Sequence, residues 1–106
     1  VVWLTKTIQK FKFNEKLIER TSRICKAMSE PIRLRLLGEL GVHKQGKYES
    51  VGELAKALDK DQSVIYRHIQ ILEKAGLLTT SKKGSTLFSN TTTNAGEIIN
   101  FFRKQK

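Results

Sequence analysis

Two amphipathic stretches separated by only three residues constrain this chain more than anything else in it. VGELAKAL, residues 51–58, offers Val51, Leu54, Ala55 and Leu58 to one side at helical spacing. After the turn Asp59-Lys60-Asp61, the run 62–74 gathers Ile65, His68, Ile69 and Leu72 on one side, with Ala75 just beyond. Ala75-Gly76 ends that second helix, where glycine suits a left-handed exit. Ser50 stands where it can cap the first helix, and Asp61 or Ser63 can cap the second. Two short helices joined this tightly form a helix–turn–helix, expected over 51–75.

The flanking segments fill out one domain over 1–106. Residues 6–13, KTIQKFKF, alternate partly between polar and apolar, as an extended arm or a helical start would, so 1–13 reads as an N-terminal arm or extension. Asn14 can cap a helix over 15–28 with Leu17, Thr21, Ile24 and Met28 on one face. On that helix Cys25 reads as a small buried hydrophobe. Pro31 opens a helix over about 31–40 that buries some combination of Ile32, Leu34, Leu36, Leu37 and Leu40, with Gly41 closing it. Residues 41–50 read as a polar loop. Thr, Leu and Phe runs either side of Lys82-Lys83-Gly84-Ser85 read as a β-hairpin within 77–90. The last helix spans 95–106 and bunches Ile98, Ile99, Phe101 and Phe102, either as domain core or as a seam between two copies. The fold class is mainly α with a small β-hairpin.

Of 106 residues, 39% are hydrophobic and 28% charged, ordinary values for a globular chain. No apolar run approaches the ~20 residues of a membrane-spanning helix. The opening VVWLTKTIQK lacks the layout of a secretion signal, so a soluble, cytoplasmic protein without a membrane partner is expected. Twenty Lys and Arg against ten Asp and Glu leave a net charge of +10, which favours a polyanionic partner. The excess is uneven. Residues 31–61 carry six basic and five acidic side chains, whereas 62–90 carry four basic and one acidic.

The second helix of the pair sharpens that partner. Ser63, Tyr66, Arg67, Gln70 and Lys74 gather opposite its apolar side, with Gln62 at its start. A solvated face would carry Glu and Lys. Amides, a hydroxyl, a phenol and a guanidinium are instead groups that read base edges in a major groove and grip phosphates beside it. Lys82, Lys83 and Ser85 follow on the hairpin, either as a solvated turn or placed against an adjacent phosphate backbone.

Other constellations are weaker. GVHKQGKY, 41–48, nearly matches a phosphate loop but has Tyr48 where a Mg²⁺-binding hydroxyl is needed, and no buried strand precedes it. His68 lies on an apolar helix side and reads as a packed, hydrogen-bonded core residue, while His43 sits in a loop without a triad partner. One cysteine and two isolated histidines make no metal site, and no paired carboxylates imply catalysis. No enzyme, cofactor or metal is expected.

Four segments, CKAMSEPIRLRLLGEL, VGELAKAL, SVIYRHIQILEKAGLL and TTSKKGSTLF, resemble the arsenic-repressor (ArsR) family of winged helix–turn–helix transcription factors. The resemblance runs over about 25–90 and is most specific at Ala27-Met28, at 30–34, and at Tyr66-Arg67-His68-Ile69 followed by Leu72 and Ala75-Gly76-Leu77. It implies a homodimer on palindromic double-stranded DNA, with 62–74 as recognition helix and 78–89 as wing. The family pairs its terminal helices across the dimer, which implies an interface containing Leu17, Ile24, Ile98, Phe101 and Phe102. Metal sensing is not implied. The family's cysteine pair is missing from VGELAKAL, and AGEIINFFRKQK has no His or Asp. Tyr66 also stands where the family often has a small hydroxyl residue.

The expectation is therefore a sequence-specific DNA-binding regulator, a repressor-like homodimer of a bacterial, archaeal or viral kind. Two alternatives use the same surface differently: a winged helix that binds protein, and a chromatin protein that coats DNA without sequence preference.

Overall fold

The computed structural model describes residues 14–42 and 49–105. The arm 1–13, most of the phosphate-loop-like segment with His43, and Lys106 lie outside the described residues. Helices α1 (Glu15–Ala27) and α2 (Pro31–Val42) come first. A two-residue strand β1 (Glu49–Ser50) leads into α3 (Val51–Leu58) and α4 (Gln62–Lys74). Strands β2 (Leu78–Lys83) and β3 (Thr86–Thr91) form the hairpin, and α5 (Thr93–Arg103) closes the described chain.

Local chemistry sets each boundary. The Asn14 side chain accepts the Leu17 N–H at 2.8 Å, and Glu15 and Lys26 complement the dipole of α1 at its two ends. Ser50 and Glu53 form a reciprocal capping box at the start of α3. Asp61 occupies the cap position of α4, but its side chain makes no capping bond. The turn is instead held from the other side. Lys60 N–H donates to Ala55 O at 3.0 Å and Asp59 N–H to Lys56 O at 3.3 Å, with Asp59 at φ 53°. That is a Schellman closure with aspartate as its left-handed residue. The end of α4 repeats the motif with Gly76 at φ 79°, where Leu77 N–H donates to Leu72 O at 3.0 Å.

The core lies where α2, α3 and α4 meet the hairpin base. Leu36, Leu37, Leu40, Leu54, Ile65, Ile69, Leu72 and Leu77 are each at most 2% exposed. Burying such side chains contributes about 1.5–3 kcal/mol each before the chain-ordering entropy is set against it.

Of the apolar candidates on α2, Leu34 is the one left exposed, at 45%, because two residues turn a helix by about 200° and so set it away from buried Leu36. Two expectations about the helices need correction. Gly41 does not close α2, which runs on through Val42. A Cβ at Gly41 would stand 3.3 Å from Ile99 Cδ1, so glycine here permits the close approach of α5. Cys25 is exposed rather than buried: α1 turns half-buried Ile24 and Met28 inward, and one residue swings Cys25 about 100° out of that face.

The sheet is antiparallel with strand order β1-β3-β2. Leu78 pairs with Thr91 and Lys83 with Thr86, leaving Gly84-Ser85 as the loop. Gly84 at φ 61° supplies the positive dihedral that such a two-residue turn requires at its first position. Lys82 and Lys83, expected in the turn, thus end strand β2. Strand β1 pairs Glu49 with Ser89 and Ser50 with Phe88, a ladder too short to leave a periodicity in the sequence. Helix α5 begins two residues earlier than expected because the Thr92 hydroxyl accepts the Ala95 N–H at 3.2 Å.

Replacing Ser50 by Ala removes one half of the capping box and is expected to lower stability by about 1 kcal/mol. Urea unfolding should show a lower midpoint at an unchanged denaturant slope; an unchanged midpoint would mean the box contributes nothing.

Candidate nucleic-acid interface

Helix α4 is two-sided because Ile65, Ile69 and Leu72 are buried against the rest of the core. That burial turns Ser63, Tyr66, Arg67, Gln70 and Lys74 outward, and all five are exposed, as is Gln62. Tyr66, 46% exposed, is a large aromatic surface that a core-only account of the helix would not place there.

The outward residues divide by flank. Gln62, Ser63 and Tyr66 share a cleft of about 700 Å³ with Lys82 and Ser85, so α4 and hairpin groups line a single concavity. Its floor comes from Ser50, Val51 and Gly52 at the start of α3 and from Thr86 and Leu87 of β3. Arg67, Gln70, Lys74 and Lys83 are exposed but do not line this cleft. The polar set predicted from the sequence is therefore continuous along α4, while only part of it is joined to the hairpin.

Three sets of contacts hold the helix in place, and none was legible as a motif. Thr80 Oγ1 of β2 donates to the Glu73 carboxylate of α4, tying the hairpin to the helix. Thr92 Oγ1 donates to Gly76 O at 2.9 Å, and Thr92 N–H donates to Leu77 O at 3.1 Å, joining the start of α5 to the end of α4. On the opposite flank Arg33 of α2 bridges two elements. Its Nε donates to Ala27 O at 2.6 Å and its Nη1 to His68 Nδ1 at 3.1 Å. The packed, hydrogen-bonded state expected of His68 is the one observed, with the residue half-buried.

That arrangement favours the neutral form of His68. Burial lowers its pKa below the ordinary 6.5, the Arg33 and Arg67 charges lower it further, and Glu30 opposes them. Among the described residues no cluster of three or more His, Cys, Asp or Glu could hold a metal, and no helix is long and apolar enough to cross a membrane.

A family model described as a helix-turn-helix domain matches residues 28–81, about half of the chain. Among solved structures, reduced HlyU from Vibrio cholerae is 30% identical with a TM-score of 0.71, covering 85% of this chain and 92% of that one. The transcriptional repressor BigR from Xylella fastidiosa is 25% identical with a TM-score of 0.69, over 83% of this chain and 87% of that one. A homodimeric winged helix-turn-helix DNA-binding domain, Mb0332 from Mycobacterium bovis, shares the fold at 17% identity and a TM-score of 0.75, over 87% of this chain and 85% of that one. No curated protein sequence matches the chain.

The lowered His68 pKa has a definite sign for stability. The folded state binds its proton less readily than the unfolded state, so His68 supports folding fully above pH 6.5 and loses that support as pH falls through the folded pKa. Unfolding free energy measured from pH 8 to about pH 5 should therefore fall towards acid, and the His68→Gln variant should show a shallower fall.

Proposed function

Since the chain belongs to the ArsR family of winged helix–turn–helix transcriptional regulators, we propose that it is a homodimeric repressor reading a palindromic operator in double-stranded DNA. The observation that carries this reading is the continuous exposed row Ser63, Tyr66, Arg67, Gln70 and Lys74 on a helix whose other side is locked into the core. A helix so presented enters a major groove with its N-terminal half toward the bases. Gln62, Ser63, Tyr66, Arg67 and Gln70 discriminate sequence, each good bidentate contact contributing about 1–3 kcal/mol. Lys74, Lys82, Lys83 and Ser85 grip the backbone on either side. The cleft shared by Tyr66 and Lys82 lets base reading and backbone grip act as one surface.

The dimer reading rests on apolar surface that one chain leaves open. Phe101 and Phe102, packed edge to face with centroids 5.5 Å apart, are 61% and 55% exposed, and Ile18 is 44% exposed. Leu17, Ile24 and Ile98 are half-buried on the same two terminal helices. Two-fold pairing of α1 and α5 covers these groups and duplicates the reading helix across a two-fold operator. The relative from Mycobacterium bovis is homodimeric and BigR is a transcriptional repressor, which supports carrying both properties to this chain. Such a regulator acts in the cytoplasm, where the DNA is.

Two measurements test the proposal. Selection from a random duplex pool should return a palindrome, and Arg67→Ala should weaken binding to it about 10–100-fold while changing random-duplex binding far less. Equal loss on both would make Arg67 a phosphate clamp, and no selected sequence at all would leave a DNA-coating or protein-binding module. Separately, Phe101→Asp with Phe102→Asp should convert the dimer to monomer in sedimentation; a monomeric parent protein would remove the seam.

A further inference from the structure

The flank of α4 that faces away from the hairpin carries a second feature. A cavity of about 360 Å³ opens between α1, the start of α2 and the end of α4. Among the described residues Ala27, Ile71 and Ala75 give it an apolar floor, and the side chains of Arg23, Lys26, Arg33 and Lys74 line it beside them, leaving a lining that is mostly apolar. No carboxylate lines it, and Arg23, Lys26 and Lys74 have no ion-pair partner among the described residues. Ile71, 37% exposed, is left facing this space although the other large apolar residues of α4 on the core side are fully buried.

We propose that this cavity binds an amphipathic monocarboxylate, with the aliphatic or aromatic tail on Ala27, Ile71 and Ala75 and the carboxylate held by the surrounding cations. Both halves of the ligand are dictated by the lining. An apolar floor favours a group that leaves water, at about 25 cal/mol per Å² of apolar surface covered. Four like charges along one cavity repel each other and favour an anion among them. A phosphate backbone matches the charge but not the floor, which offers it no hydrogen-bond donor. At the roughly 30 Å³ taken by a water-sized group, 360 Å³ holds about twelve heavy atoms, the size of a ten-carbon fatty acid.

Arg33 gives such a ligand a route to the reading helix. Its side chain lines the cavity, and its guanidinium joins the Ala27 carbonyl to His68 of α4. A carboxylate in the cavity competes with His68 for that guanidinium and so loosens or shifts α4 against α1 and α2. Occupancy of the cavity and DNA affinity are then coupled, and by linkage the coupling is reciprocal.

The test uses the free protein, so its outcome does not depend on whether the DNA-reading proposal holds. Decanoate is titrated against the full chain and followed by calorimetry and by the methyl resonances of Ala27, Ile71 and Ala75. Saturable binding with shifts at those methyls is expected. Decanol, which has the tail without the charge, and acetate, which has the charge without the tail, should each bind at least about tenfold more weakly. The double variant Arg23→Gln, Lys26→Gln should weaken decanoate about fivefold or more while keeping the parent unfolding midpoint. Decanoate without methyl shifts at the cavity, equal binding of decanol, or unchanged affinity in the double variant would each overturn the proposal. If decanoate fails to bind while the double variant reduces the salt dependence of DNA binding, the cations are phosphate contacts instead.

Discussion

Burial of Ile65, Ile69 and Leu72 is the contact on which the rest of this molecule depends. These three side chains fix the rotation of α4 about its own axis. A helix with one rotation presents one row of residues outward, here Ser63, Tyr66, Arg67, Gln70 and Lys74. Free rotation would average that row with Val64 and His68 and leave nothing for a groove to recognise. The hydrophobic effect supplies the force but not the direction, because it is proportional to area and blind to angle. Direction comes from the polar contacts around α4. The Schellman closures at Asp59 and Gly76, the Thr80–Glu73 bond and the Arg33–His68 bond each hold it from a different side.

These restraints divide the helix into flanks with different chemistry. Toward the hairpin, Gln62, Ser63 and Tyr66 line one cleft with Lys82 and Ser85. Toward α1 and α2, Ile71 and Ala75 line a mostly apolar cavity with four cationic side chains. A regulator needs a surface that reads DNA and, where it responds to a signal, a second surface linked to the first. In the proposed reading Arg33 lines the second surface and holds the helix that carries the first. It does so through His68, whose pKa is lowered by burial and by two neighbouring guanidinium groups.

The terminal helices have a different status from the central three. Ala27 is the one buried residue of α1 and Ala95 that of α5, whereas α3 and α4 each bury three. Helices with so little cover of their own gain stability when a second surface completes them. The exposed Phe101, Phe102 and Ile18 mark where that surface lies in the proposed dimer. A single exposed apolar side chain such as Leu34 carries no such implication by itself.

Periodicity and punctuation in the sequence determined a great deal by themselves. The two helices of the turn, the capping roles of Asn14 and Ser50, the hairpin, the inward His68 and the outward polar row all follow from local rules, since caps and amphipathic faces are properties of a few consecutive residues. The family resemblance extended that reading to the whole winged fold. Three kinds of information were decided only in three dimensions. Strand β1 exists because β3 lies beside it, and two residues carry no period. Gly41 sits within a helix because Ile99 approaches it from another helix. The cavity and the Arg33 bridge join residues from α1, α2 and α4, as much as 35 positions apart for Arg33 and His68. Local sequence specifies which faces are polar or apolar; only the packing of those faces decides which ones meet.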